Sequence, residues 1–207
     1  MLTNWARRTF RRVLVPIAGL FRRMGVTPNL LTFLGLLLQA FVALLVALGH
    51  LPLAGVLLII FSAFDALDGT LARLTDQVSR FGAFFDATID RYAEALVLFG
   101  LLIYVGDQGR QDLVLLIYAS IVGSLLVSYT RAKAESLNIK CTVGILTRAE
   151  RVALLVVGLM FGAWQPFPSL PELLTAVLWV LAILSNVTAV QRIWAVWQET
   201  ASDRGLS

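Results

Sequence analysis

Apolar residues in this chain come in long uninterrupted blocks, not in alternation with polar ones. Between Arg23 and Asp65 no residue carries a formal charge, a run of 41 positions. A helix needs about 20 apolar residues to cross a bilayer, so this run predicts two spans. The turn-formers Gly49-His50-Leu51-Pro52 divide it, placing a first helix at about 29–49, after Thr27-Pro28-Asn29, and a second at about 53–74. A third is expected at about 80–105, stopped by Gly106-Asp107-Gln108-Gly109. A fourth follows at about 111–135, a fifth at about 148–164 and a sixth at about 171–197, with Pro166, Pro168 and Pro171 marking the last turn. Lipid cannot satisfy open backbone groups, so spans of this kind are helices and the predicted fold is all-α.

Residues 3–24 follow another pattern. Phe10, Val13, Leu14, Ile17 and Phe21 recur at helical spacing with paired arginines between them. That is an amphipathic helix lying on the membrane surface, with Pro16 the one position that works against it. The apolar run between Arg12 and Arg22 is short and no cleavage site follows, so a signal peptide is not expected.

Composition sharpens this picture. Hydrophobic residues make up 58% of the 207 and charged residues 14%, against about 25% charged in a soluble domain. A cytosolic globule and a disordered chain are both excluded. The expectation is one integral membrane domain over 1–207, its six-helix bundle at about 29–197. A single cysteine, Cys141, and a single histidine, His50, exclude a disulfide framework, a Cys or His metal centre and a Ser-His-Asp triad. His50 is expected in a solvated turn, and Cys141 as a small packing residue. Fifteen of the seventeen Lys and Arg residues fall on one side of the predicted bundle, from Arg7, Arg8, Arg11, Arg12, Arg22 and Arg23 through the 73–80 turn and the 131–151 segment to Arg192 and Arg204. Arg110 falls opposite and Arg91 within the third helix. The positive-inside rule then puts both termini in the cytoplasm of a multi-pass cell-membrane protein. Trp164, Trp179, Trp194 and Trp197 suit interfacial anchors, and the N-terminal arginines suit anionic lipid headgroups. No nucleic-acid partner is expected.

The chemistry lies in four intramembrane aspartates. Asp65 and Asp68 are three apart on the second helix, and Asp86 and Asp90 four apart on the third, so each pair shares a helix face. The two helices are expected as antiparallel neighbours joined by a turn near 75–79, bringing all four carboxylates to one cytoplasm-facing cavity. Each would cost about 2.5–3.5 kcal/mol to insert, and together they repel. Two divalent cations would balance them, and an all-oxygen donor set suits Mg²⁺ or Mn²⁺. Gly69, Ala72 and Gly82 stand a residue or a turn from Asp68 and Asp86. They leave a trough clear of side chains, where a flat ligand can approach the backbone; close helix packing would also use such residues.

Together, Asp65-x2-Asp68-Gly69-x2-Ala72-Arg73-x8-Gly82-x3-Asp86-x3-Asp90 resembles the signature of the CDP-alcohol phosphotransferases without a departure. The resemblance implies a homodimeric six-helix membrane enzyme that moves a phosphatidyl-type group from a CDP-linked lipid to an alcohol and releases CMP. By position it makes Asp65, Asp68 and Asp86 metal ligands, and Asp90 either the last member of the metal cluster or the general base. It sets Gly69, Ala72, Arg73 and Gly82, together with Asp65 and Asp68, around the cytidine diphosphate, and Asn29 on the nucleotide side. Asp90 lies a turn deeper than Asp86 on one face, within reach of an acceptor hydroxyl.

Arg131, Lys133, Arg148, Arg151 and Arg192 are expected at the depth of the aspartates, where they could bind an acceptor's phosphate. Topology alone also places basic residues there, and Glu135 and Glu150 could simply pair with them. This cluster looks like that of the phosphatidylinositol-phosphate synthases and their archaeal counterparts. There the acceptor is inositol phosphate, and positions matching Lys133, Arg151 and Arg192 hold its phosphate. A phosphatidylglycerophosphate synthase, with glycerol 3-phosphate as acceptor, is the nearest alternative. Glu94, one turn beyond Asp90, is either a partner to the site or a buried neutral acid. A cation transporter would also hold membrane aspartates, but the chain shows neither inverted repeats nor broken helices. An aspartate-rich prenyl transferase would hold diphosphate through metals without needing Gly69, Ala72 and Gly82.

Overall fold

The computed structural model describes residues 15–162 and 171–203; the side chains of residues 63, 65, 66, 171, 172, 202 and 203 fall outside the description. Seven helices account for nearly all of it. The first, α1, is described over 15–23 and includes Pro16. Then come α2 (Pro28–Ala47), α3 (Leu51–Leu74), α4 (Arg80–Asp107), α5 (Gln111–Ser136), α6 (Arg148–Phe161) and α7 (Pro171–Asp203). The expected six-helix order appears as α2–α7, with ends within a few residues of expectation except at α7, which runs on to Asp203. The N-terminal half of the expected surface helix, with Arg7, Arg8, Arg11 and Arg12, lies outside the described residues, as do Trp164, Pro166, Pro168 and Arg204.

Local chemistry sets the helix ends. Thr27 caps α2, accepting from the Leu30 N–H at 3.3 Å, with Pro28 in the first turn. Ser79 caps α4, accepting from the Gly82 N–H at 2.9 Å. Glu150 accepts the Thr147 N–H at 2.5 Å at the start of α6. At the other end of α2, Gly49 takes φ +81 while the His50 N–H bonds back to the Leu45 carbonyl. That left-handed cap is the physical content of the Gly-His-Leu-Pro break.

Four helices have the length and apolarity to cross a bilayer: Pro28–Ala47, Leu51–Leu74, Gln111–Ser136 and Leu173–Ala201. Their outer faces are apolar, with Leu37, Phe41, Ile59, Trp179 and Trp194 all about half exposed or more, as lipid contact requires. α4 fails that test because Arg80, Asp86, Asp90, Arg91 and Glu94 crowd its first half, and α6 because it has 14 residues. The chain is a multi-pass, all-helical integral membrane protein.

α2 packs against both α3 and α4, α5 against α7, and α6 against α3 and α7. α3 and α4 are antiparallel and joined by a short turn, but they do not pack along their lengths; α2 stands against both. That corrects the expectation of close neighbours, and the divergence makes room for a site. The α2–α4 contact is tight at Gly100, where a Cβ would run into the Ala43 backbone carbonyl. Gly100→Val is expected to destabilise the protein by about 1–3 kcal/mol through overpacking, seen as a lower unfolding midpoint in detergent. α1 lays Ala18 and Phe21 against Leu31, Leu67 and Leu71, at the ends of α2 and α3 where the aspartates lie, and leaves Arg22 and Arg23 exposed.

Candidate active site

Where α3 and α4 part, three helices and a turn enclose a cavity of about 320 Å³, within the range of about 300–1,000 Å³ that small-molecule sites occupy. α2 contributes Asn29 and Thr32 from its first turns. α3 contributes Asp68, Gly69, Ala72 and Arg73, the turn Gln77 and Ser79, and α4 Gly82 and Asp86. Six of the residues expected on the nucleotide side (Asn29, Asp68, Gly69, Ala72, Arg73 and Gly82) therefore share one space. Asp65 lies on α3 a turn before Asp68, and its side chain falls outside the description.

The glycines differ in what they permit. A Cβ on Gly82 would meet Ser79 Oγ at 3.0 Å and Asn29 Oδ1 at 3.4 Å, so this glycine lets the first turn of α4 close on its cap and on α2. A Cβ on Gly69 would meet only the Arg73 guanidinium, at 3.7 Å. Nothing in the packing demands glycine there; the open side is the cavity.

Asp68 is 6% exposed and held from two sides. Thr32 Oγ1 donates to Oδ2 at 2.6 Å and the Gly69 N–H lies 2.5 Å from Oδ1. Thr32 escaped the sequence reading, although it lies on the face of Asn29 at i+3, a signal that could have found it. Asp86 faces the same cavity. Asp90, one turn deeper, is not part of the wall. Its Oδ2 lies 2.8 Å from Arg148 Nη1 and 4.0 Å from Arg91 Nη1, and Arg91 also donates to the Ala87 carbonyl. Among the described residues no three acidic, His or Cys side chains gather closely enough to cage a metal by themselves. The donors present, Asp68 and Asp86 on one polar cavity, still suit a hard divalent cation, which commonly completes its shell with water and substrate phosphate.

The five basic candidates for the acceptor fall into three settings. Arg131 and Lys133 are exposed at the end of α5, with Arg131 Nε 2.8 Å from Glu135. Arg192 is 5% exposed and bonded to backbone: Nε donates to the Val143 carbonyl at 2.8 Å and Nη1 to that of Val127 at 2.5 Å, tying α7 to α5 and to the 137–147 loop. Arg148 and Arg151 line a small internal cavity of about 20 Å³ together with Glu94, Gln39 and Ser120. Glu94 is no lone acid: Arg151 Nε and Nη2 reach its two oxygens at 2.6 and 2.9 Å, a bidentate pair with both side chains under one-tenth exposed. Cys141 is buried and His50 exposed.

Known proteins are similar to this chain in sequence and in fold. A profile of the CDP-alcohol phosphatidyltransferase family matches residues 25–191. The chain is 33% identical over 206 residues to the phosphatidylinositol phosphate synthase of Streptomyces avermitilis, covering 97% of this chain and 84% of that one. It is 37% identical over 172 residues to the archaetidylinositol phosphate synthase of Pyrococcus horikoshii, covering 83% and 84%. The Mycobacterium tuberculosis phosphatidylinositol phosphate synthase with CDP-DAG bound superposes with a TM-score of 0.83 at 34% identity, over 90% of this chain and 94% of that one. Its complex with manganese and citrate superposes at 0.82, also at 34% identity, over 89% and 88%. That metal agrees with the carboxylate donors found here. The chain belongs to the CDP-alcohol phosphatidyltransferase family and is an enzyme that transfers a phosphatidyl group from a CDP-linked lipid.

Proposed function

We propose that the acceptor is a hydroxyl of inositol phosphate, and that transfer takes place on the cytoplasmic side of a single six-span membrane domain working as a homodimer. The observation that carries this reading is the cavity between α2, α3 and α4, with Asp90 one helical turn beyond Asp86 and paired with Arg148. α4 and α6 are counted as spans: the charged half of α4 turns to the site, and α6 packs against α3 and α7, which are both long and apolar enough to cross. The distribution of Lys and Arg orients the site to the cytoplasm. The named relatives are a bacterial phosphatidylinositol phosphate synthase and an archaeal archaetidylinositol phosphate synthase, which favours that acceptor over glycerol 3-phosphate.

In this reading Asn29, Gly69, Ala72, Arg73 and Gly82 hold the cytidine diphosphate, the glycines letting it lie against backbone. Asp65, Asp68 and Asp86 hold two divalent cations, with Thr32 fixing the Asp68 carboxylate. When bound, these cations neutralise the diphosphate and the departing CMP. Asp90, beside Arg148, takes the proton of the attacking hydroxyl. Arg148, Arg131 and Lys133 offer their charge to the acceptor's phosphate, and buried Arg151 and Arg192 back them.

The test is CMP release by the purified protein from CDP-diacylglycerol in detergent, with Mg²⁺ and, in parallel, inositol phosphate, glycerol 3-phosphate, free inositol or serine. Turnover with inositol phosphate alone, lost with a chelator and restored by Mg²⁺ or Mn²⁺, is the expected result. Turnover with glycerol 3-phosphate would replace the acceptor, and ion flux without CMP release would replace the class. Gly69→Val provides a second check. It meets only a flexible arginine, so folding is expected to survive, while CDP-lipid binding weakens by about tenfold or more, 1.4 kcal/mol, in equilibrium titration.

A further inference from the structure

α4 and α6 face each other through two ion pairs set one turn apart. Asp90 and Glu94 stand at i, i+4 on α4, and Arg148 and Arg151 at i, i+3 on α6. The two pairs are built differently. Glu94–Arg151 is bidentate, 8% and 4% exposed, with Arg151 Nη1 also 3.5 Å from the Leu146 carbonyl. In Asp90–Arg148, Arg148 Nη1 lies 2.8 Å from Asp90 Oδ2, and the side chains are 17% and 33% exposed. The first is a fixed strut. The second is less deeply buried.

This less buried pair engages the carboxylate read as the base. With a guanidinium at 2.8 Å on Oδ2, that oxygen has a lone pair committed and its charge offset. Arg91, 4.0 Å away, adds positive charge but is itself held on the Ala87 carbonyl. A phosphomonoester carries about −1.5 to −2 charge and three acceptor oxygens, so it competes for Arg148 better than one carboxylate does.

We infer that Arg148 is a latch on Asp90: it covers the Asp90 carboxylate until an acceptor's phosphate draws it away, so that Asp90 becomes available only when a phosphorylated acceptor is in place. The inference rests on the reading of Asp90 as the base and of the acceptor as a phosphomonoester. Its use is protection of the CDP-linked lipid from water. In the unwanted reaction a water oxygen bonds to the lipid-side phosphorus and the bond from that phosphorus to the CMP oxygen breaks. One water proton passes to Asp90 and on to solvent, leaving phosphatidate and CMP. The latch keeps that reaction slow while no acceptor is bound. Arg148 is thus a positioning residue, acting through Asp90.

Inorganic phosphate is the probe, because it fills a phosphate subsite without bringing an alcohol. In the wild-type protein with CDP-diacylglycerol and excess Mg²⁺ but no acceptor, phosphate is expected to raise CMP and phosphatidate formation saturably, by about tenfold. Arg148→Gln is expected to show the raised hydrolysis without phosphate and to respond to it no further, and Arg148→Lys to restore part of the restraint. Phosphate binding in equilibrium titration should weaken in Arg148→Gln, and adding Asp90→Asn should remove the raised hydrolysis. Phosphate that leaves or lowers acceptor-free CMP release in the wild type overturns the latch; this arm needs no variant to fold. The underlying reading fails separately, if Asp90→Asn still transfers to inositol phosphate or if the preferred acceptor carries no phosphate.

Discussion

Asp90→Asn is expected to slow CMP release by about 10²–10⁴-fold, the usual contribution of a general base, while leaving CDP-lipid affinity within a factor of about two. The separation follows from the geometry. The CDP-sized cavity is walled by residues from Asn29 to Asp86, and Asp90 is not among them. It stands one turn deeper, against Arg148. The substitution keeps the shape and an oxygen for Arg148 but removes the proton acceptor. Single-turnover rates together with equilibrium lipid binding measure the two effects independently. Loss of lipid binding in step with rate would instead make Asp90 part of the nucleotide and metal shell.

Arg151→Met is expected to carry the largest stability effect. It takes the bidentate partner from the Glu94 carboxylate, leaving it Ser124 and the nearby charge of Arg148, in a bundle core where both members of the pair are under one-tenth exposed, and breaking such a pair from one side costs about 3–5 kcal/mol. The unfolding midpoint in detergent should fall accordingly. Glu94→Leu combined with Arg151→Met removes both charges and should recover most of that loss. If Arg151 also supports the acceptor site, the double variant regains stability but not its KM for inositol phosphate. Recovery of both would leave the pair a purely structural strut.

Some of this was readable along the chain because its cause is local. The Gly49 break, the Pro28 start and the Ser79 cap each act over a few residues, and the observed helix ends follow them. The Asp and Gly spacing placed Asp68, Gly69, Ala72 and Gly82 on common faces by helical periodicity alone, and these residues do wall one cavity. Thr32 shares the face of Asn29 by the same periodicity, but its partner Asp68 lies 36 positions away, which no local pattern shows. The partner of Glu94 was not readable: Arg151 lies 57 positions away, and any basic residue near that level would have satisfied the pattern. Nor were the carbonyls that Arg192 bonds readable, since they lie 49 and 65 positions away.

The amino-acid order by itself determined that this is a helical membrane protein with acidic residues on two consecutive helices, because hydropathy and helical period are properties of the neighbouring few residues. Tertiary structure alone decided that α3 and α4 diverge around a cavity with α2 against both, that Asp90 meets Arg148, and that Arg151 meets Glu94. Those outcomes depend on how rigid helices cross. A crossing is set by side chains packing from opposite ends of the chain, such as Gly100 on Ala43, and no local pattern encodes it.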